Sequence, residues 1–207
     1  MMIGTVHVVD DDAAVLRGLK WFLESADLTV QTYASAEEFI ERYEAEPTPE
    51  CLILDICMPG LSGVALHETF AERGWRLPVI FLTGHGKVPE AVAALKRGAF
   101  DFLEKPFADD ALLERVQAAL EEDGRRRTRS QEAAALTARI GSLTQREHQV
   151  AMRVAAGLPN KLIAAELGIS PRTVEVYRAK AMSKTGSRST AELVQLVMRE
   201  RGVAATR

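Results

Sequence analysis

At 207 residues, with 47% hydrophobic residues, 27% charged residues and a formal net charge of −3, the chain has an ordinary globular balance that excludes a disordered or collagen-like class. The length holds one large domain or two small ones, each with its own core, and no apolar run approaches the roughly 20 residues of a membrane-spanning helix. The small net charge conceals an asymmetry: residues 1–120 sum to −10, residues 121–142 to +1 and residues 143–207 to +6, so a polyanionic partner would meet the last third.

In chain order, the first 120 residues alternate strand and helix patterns. Short apolar runs bounded by polar or turn residues predict strands at Thr5–Val9, Thr29–Tyr33, Cys51–Asp55, Val79–Thr83 and Phe100–Leu103. Helical patterns lie between them. Val15, Leu16, Leu19, Phe22 and Leu23 make one apolar stripe on the first helix. Ser35 followed by Glu38 reads as a capping-box start for the second. Pro89 suits the first turn of the helix before the fifth strand, and Gly98 its end. Repeated βα units predict an α/β domain, a doubly wound five-stranded parallel sheet covered by helices on both faces.

Cys51 and Cys57 are six residues apart, about 20 Å along an extended run. That is too far for a direct disulfide without a tight reversal, and no histidine pattern accompanies them for zinc. They read as small, half-buried thiols of a reducing compartment. The N-terminal residues enter the first strand pattern with no basic or apolar leader, so the cytoplasm is the expected location.

From about Glu121 to Gly141 the composition changes to Glu-Glu-Asp-Gly-Arg-Arg-Arg and then an Ala-rich stretch. This predicts a linker over residues 122–141 with a leaning toward helix, which separates domains at 1–121 and 142–207. Beyond it only helical patterns occur. Thr144 and Glu147 form another capping box, and Gly157, Gly168 and Gly186 punctuate four helices. Lys161–Leu167 and Pro171–Met182 predict a short helix, a Gly-containing turn and a longer helix, with Ser170 as cap and Pro171 at its first position. On the longer helix Val174, Tyr177, Arg178 and Ala181 share one face, whose apolar members suit inward packing. Arg172, Glu175, Val176 and Ala179 share the other. An exposed valine among polar neighbours makes sense in a DNA major groove, where it can meet a thymine methyl.

Asp10 and Asp11 follow the first predicted strand, Asp55 ends the third, Thr83 ends the fourth and Lys105 follows the fifth. In a parallel sheet these are all carboxyl ends of strands, the edge where open α/β sheets bind ligands. Carboxylates brought together repel unless something positive sits among them. A hard divalent cation such as Mg²⁺ fits, with Lys105 as a mobile point charge for a phosphate and Thr83 as a hydroxyl donor. Asp12 is expected to be a helix cap.

The stretches Val8–Asp12, Leu52–Gly60, Phe81–Gly86 and Phe102–Phe107 resemble the receiver domain of two-component response regulators, which has a flavodoxin-like fold. The resemblance implies that Asp55 accepts a phosphoryl group from the phosphohistidine of a sensor histidine kinase. It further implies that Asp10, Asp11, Asp55 and the backbone carbonyl of Cys57 hold Mg²⁺, and that Lys105 pairs with the phosphoryl group. Thr83 and Phe102 would be the switch residues, and Lys105-Pro106 a cis peptide. Cys57 stands where many receivers carry a longer polar side chain. It also stands where hydrolases that use a phospho-aspartate place a second acid, which argues against an enzyme acting on outside substrates: the receiver would catalyse only its own phosphotransfer and dephosphorylation.

The second half, from Leu143-Thr144-Gln145-Arg146-Glu147 through Lys184, is similar to the LuxR-type helix-turn-helix, and the whole chain to the FixJ group of response regulators. This implies a sequence-specific DNA-binding transcriptional regulator that forms a homodimer on phosphorylation, with RNA polymerase a further partner. Glu175, Val176 and Ala179 would face bases, while Lys161, Arg172, Lys180 and Lys184 approach phosphates, and the final helix, Thr190–Arg199, would carry dimer contacts. Tyr177 replaces a histidine common in that family.

Overall fold

Five strands, β1 (Thr5–Val9), β2 (Thr29–Tyr33), β3 (Glu50–Asp55), β4 (Val79–Thr83) and β5 (Asp101–Glu104), form one sheet in the order β2-β1-β3-β4-β5. Every neighbouring pair is parallel. The computed structural model describes residues 4–84, 92–93 and 95–204. Strand side chains alternate between two cores, as the pleat requires. Val6, Val8, Cys51, Ile53, Ile80 and Leu82 face one cluster, covered by α1 (Ala13–Ser25) through Leu19 and Leu23. Val9, Leu52, Leu54, Val79 and Phe81 face the other, with Phe39 of α2 (Ala36–Arg42), Leu66 of α3 (Gly63–Glu68) and Phe70 of α4 (Phe70–Arg73).

All five strands lie within a residue of where the sequence predicts them. The fifth starts one residue later than Phe100: that residue's N–H bonds the Val79 carbonyl at the sheet edge, and ladder pairing begins at Asp101 opposite Ile80. Asp12 caps α1 by accepting the Ala14 N–H. Ser35 caps α2 as expected, but Glu38 reaches back to the N–H of Ala34 at 2.6 Å, not to that of Ser35. Gly98 adopts φ +96° where a helix end was predicted, whereas Pro89 lies outside the described residues. Cys51 is fully buried and Cys57 exposed, so neither is the half-buried thiol that composition indicated.

Residues Met1–Arg127 pack as one unit and Thr128–Arg207 as another. The boundary falls inside α5, a 33-residue helix from Asp109 to Gly141. Composition placed the end of the first domain at 121. Packing carries the first unit to Arg127, because Asp123 is fully buried, accepts the Glu50 N–H and pairs with Arg126 and Arg127. Arg127 also pairs with the buried carboxylate of Glu50, which bonds His7 at 3.1 Å. The charged run that reads as a linker is in part a buried ion network. Among the described residues no helix is long and apolar enough to cross a membrane.

In the second unit α6 (Gln145–Ala155), α7 (Asn160–Leu167), α8 (Pro171–Thr185) and α9 (Thr190–Ala204) follow. The Thr144/Glu147 capping box is complete in both directions. Ala151, Ala155, Ala181, Leu193 and Val197 form one core cluster, and Val150, Ile163, Ala164 and Val174 the other.

Phe39 is fully buried and touches the rings of Tyr33, Tyr43, Phe70 and Trp75. Phe39→Ala is expected to cost the first unit about 3–5 kcal/mol. Both tryptophans, Trp21 and Trp75, belong to that unit, so denaturant unfolding followed by tryptophan fluorescence measures the loss.

Candidate functional site

The strand order reverses between β1 and β3, and the carboxyl ends of these two strands deliver the central side chains. Val9 pairs with Leu54, which sets Asp10 beside Asp55. Both carboxylates are nearly closed off from solvent, at 2% and 7% exposure. The ammonium of Lys105, just past β5, bridges them: its Nζ is 2.8 Å from Asp10 Oδ2 and 2.7 Å from Asp55 Oδ1. The remaining oxygens are also used. Asp10 Oδ1 accepts the Asp12 N–H at 2.9 Å, and Asp55 Oδ2 accepts the Cys57 N–H at 2.7 Å. The Lys105-Pro106 peptide is cis.

Burial pushes the Asp55 carboxyl above the usual carboxylate range; the bonded Lys105 ammonium pulls it down and the neighbouring Asp10 pushes it up again. Burial alone would lower Lys105, but its bonds to Asp10 and Asp55 outweigh that and leave it above the ordinary lysine value. Two buried carboxylates therefore share one ammonium, so the group has one more acidic than basic side chain.

Of the other residues expected here, Thr83 is fully buried and its hydroxyl donates to the Gly84 carbonyl at 3.2 Å, not to Asp55. Phe102 is half-buried against the second core cluster. Asp11 and the Cys57 side chain are exposed. Among the described residues no three acidic, histidine or cysteine side chains stand together as a ready-made metal group. The structure thus gathers Asp10, Asp55 and Lys105, and leaves Asp11 exposed.

Sequence reading missed the residues that hold the β3–α3 loop. Gly63 opens α3 where a Cβ would lie 2.1 Å from the Asp55 carbonyl oxygen. A glycine at a helix's first turn costs helix stability, and that placement directly after the capping Ser62 was the available signal. Glu37 accepts the Leu61 N–H at 3.0 Å, and nothing in its spacing announces the contact.

In the second unit α7, a left-handed Gly168 (φ +65°) and α8 form the helix-turn-helix, with Ser170 capping through the Thr173 N–H at 3.0 Å. Val174 and Ala181 are buried, while Arg172, Glu175, Val176, Ala179 and Lys180 are exposed together, as is Lys161 on α7. Val176 keeps 46% exposure and Leu162, beside Lys161, keeps 55%. Lys184 departs from this set. Its ammonium bonds the almost buried Glu147 carboxylate at 2.7 Å, so part of its role is to close the fold.

Residues 6–117 match the response regulator receiver domain family, and residues 141–197 match the bacterial regulatory proteins of the luxR family. The chain belongs to the two-component response regulators that join a receiver to a LuxR-type DNA-binding domain. Within that class it is FixJ-like, a transcriptional regulator. It is 45% identical over 194 residues to the transcriptional regulatory protein FixJ of Azorhizobium caulinodans, covering 93% of this chain and 91% of that protein. The solved response regulator StyR is 42% identical with a TM-score of 0.89, covering 95% of this chain and 98% of that one. Full-length FixJ from B. japonicum is 42% identical with a TM-score of 0.60, over 97% and 98% of the two chains. A receiver implies a sensor kinase as partner, and the LuxR-type domain implies DNA.

Two outcomes test this geometry. The folded state holds the Asp55 proton more tightly than the unfolded chain, so ionisation costs stability as pH rises from the ordinary value of 3.8 through the raised folded value. Asp55→Asn should therefore raise the denaturation midpoint of the first unit at neutral pH, and the gain should vanish on acidification below that window. Glu147 is the opposite case, held below the ordinary carboxylate range by its bond to Lys184. Its contribution is present above the unfolded value and is lost as pH falls through the folded one. At neutral pH Lys184→Ala should lower the melting midpoint of the second unit more than Lys180→Ala, read by circular dichroism.

Proposed function

We propose that Asp55 is the phosphoacceptor and that its phosphorylation by a sensor histidine kinase controls DNA binding by the second unit. The observation that carries this reading is the Lys105 ammonium held between Asp10 and Asp55 at the switch point of a receiver sheet. A carboxylate oxygen of Asp55 attacks the phosphorus of a phosphohistidine, the P–N bond breaks, and an acyl phosphate forms while the imidazole leaves. Lys105 neutralises charge on the transferring group, and its partly exposed, flexible side chain can follow it. The Thr83 hydroxyl, at the end of β4, turns from the Gly84 carbonyl to a phosphoryl oxygen, and Phe102 turns inward with it.

Receiver domains generally bind Mg²⁺ at the phosphorylation site, and the donors here suit it: all are oxygens, and two buried carboxylates outnumber one ammonium. Asp10, Asp11, Asp55 and the Cys57 carbonyl would hold the ion, which supplies positive charge to the transferring phosphoryl group.

On the DNA side, Glu175, Val176 and Ala179 read bases in the major groove. Lys161, Arg172 and Lys180 approach phosphates, with Lys184 beside them while still tied to Glu147. Phosphorylation favours a homodimer, which raises the effective concentration of two DNA-binding units, and bound dimer meets RNA polymerase. In a gel shift with genomic fragments, the full-length protein should bind weakly until treated with acetyl phosphate and Mg²⁺, and Asp55→Asn should lose both phosphorylation and the gain in binding. Equal binding with and without Asp55 phosphate would remove the receiver as a switch of DNA affinity.

A further inference from the structure

The segment from Ile56 to Ser62 joins β3 to α3 and carries the Cys57 carbonyl. Its start is tied to the phosphoacceptor Asp55, and its two ends are tied to each other. The Cys57 N–H bonds Asp55 Oδ2 at 2.7 Å, and the Gly63 N–H bonds the Ile56 carbonyl at 3.2 Å. Gly63 lies so close to the Asp55 backbone that a Cβ would meet its carbonyl oxygen at 2.1 Å and its carbonyl carbon at 3.0 Å. Met58 and Leu61 rest on the second core cluster. The middle of the loop turns through Gly60 at φ +75° and meets one carboxylate from elsewhere in the chain. Glu37, in the first turn of α2, accepts the Leu61 N–H through Oε1 at 3.0 Å, and the same oxygen lies 2.8 Å from where a Gly60 Cβ would be. Hydrogen bonds from its own N–H and from that of Leu61 hold the Glu37 carboxyl below the usual range. Among the described residues it is the side chain outside the loop that bonds the backbone between Met58 and Ser62.

We infer that Glu37 is a positioning residue for phosphotransfer: from a helix that contributes nothing to the pocket, it fixes the loop whose Cys57 carbonyl completes the cation site. The inference rests on the reading of Asp55 as phosphoacceptor with Mg²⁺. Its physical basis is that a backbone carbonyl binds an ion only as well as its segment is held. A ligand on a loop free to turn must be ordered at the moment of binding, and groups that orient metal ligands affect affinity for that reason. Gly60 gives the loop the left-handed turn that brings the Leu61 N–H to Glu37, and it leaves the carboxylate room that a side chain would take.

The test uses the full-length chain and three variants. Glu37→Gln keeps an acceptor oxygen of the same reach. Glu37→Asp keeps an acid in the first turn of α2 but withdraws it by one methylene. Glu37→Ala removes it. Tryptophan fluorescence unfolding checks that each is folded, and Asp carries the test if Ala is not. With acetyl phosphate as donor, the half-saturating Mg²⁺ concentration for phosphorylation should rise about threefold to tenfold in the Asp and Ala variants, at or below the low end of the ~10–100-fold typical of groups that orient metal ligands. The maximal rate should stay within about twofold and Gln should behave as the parent protein. Independently of phosphorylation, hydrogen exchange of the Leu61 amide should quicken in Asp and Ala and be restored in Gln. An unchanged Mg²⁺ dependence in folded Asp and Ala variants, or a Gln variant as impaired as Ala, overturns the proposal. If the parent protein itself takes no phosphate from acetyl phosphate at any Mg²⁺ concentration, the phosphoacceptor reading fails instead, and the Leu61 amide alone then decides whether Glu37 holds the loop.

Discussion

Two carboxylates buried side by side at the ends of β1 and β3 would drive each other apart, and the Lys105 ammonium is what lets them stay. Its bonds to Asp10 and Asp55 draw three strands to one point, since the acids follow β1 and β3 and the lysine follows β5. The compensation is incomplete: burial and the neighbouring Asp10 still leave Asp55 above its ordinary range. A site with surplus negative charge and all-oxygen donors is what the proposed cation and phosphoryl group require, and it carries a standing cost in stability. Functional pockets commonly hold groups whose ionisation the fold alone does not favour.

The opposite ends of the strands pose a similar problem with the same signs, two buried carboxylates around one cationic side chain. Glu50 and Asp123 are fully buried, and the guanidinium of Arg127 reaches both, with His7 and the Glu46 backbone completing the shell of Glu50. Each charge there has a partner, which is the condition under which buried ions are tolerated. The consequence is positional: α5 is bound to the first unit as far as Arg127, and from Thr128 to Arg139 its residues are largely exposed.

The second unit buries one carboxylate, Glu147, and presents a charged surface on α8. Val174 and Ala181 anchor α8 inward, which turns Arg172, Glu175, Val176, Ala179 and Lys180 outward as one surface. Glu147 shows why a cation count misleads as a count of phosphate contacts. It caps α6 through the Thr144 N–H and at the same time holds Lys184, so one of the basic residues on this side is committed to the fold.

Much of this was legible in the sequence, because period-2 and period-3.6 apolar patterns are local. Strands β1 to β4, the caps at Asp12, Thr144 and Ser170, and the helix-turn-helix all follow from neighbours within four residues. The chain order of βα units then dictates which strand ends meet, so the gathering of Asp10, Asp55 and Lys105 also follows from sequence. What the sequence does not determine is any pairing between side chains far apart in the chain. Whether Asp123 and Arg127 are solvated or buried depends on Glu50, more than seventy positions away, and the run Glu-Glu-Asp-Gly-Arg-Arg-Arg looks the same in both cases. Glu37 is one more surface acid of α2 until the Leu61 N–H is set against it, and Lys184 is one more basic residue until Glu147 is packed beneath it. Local patterning fixes elements and their order; the partners of charged groups are decided only when tertiary packing removes their water.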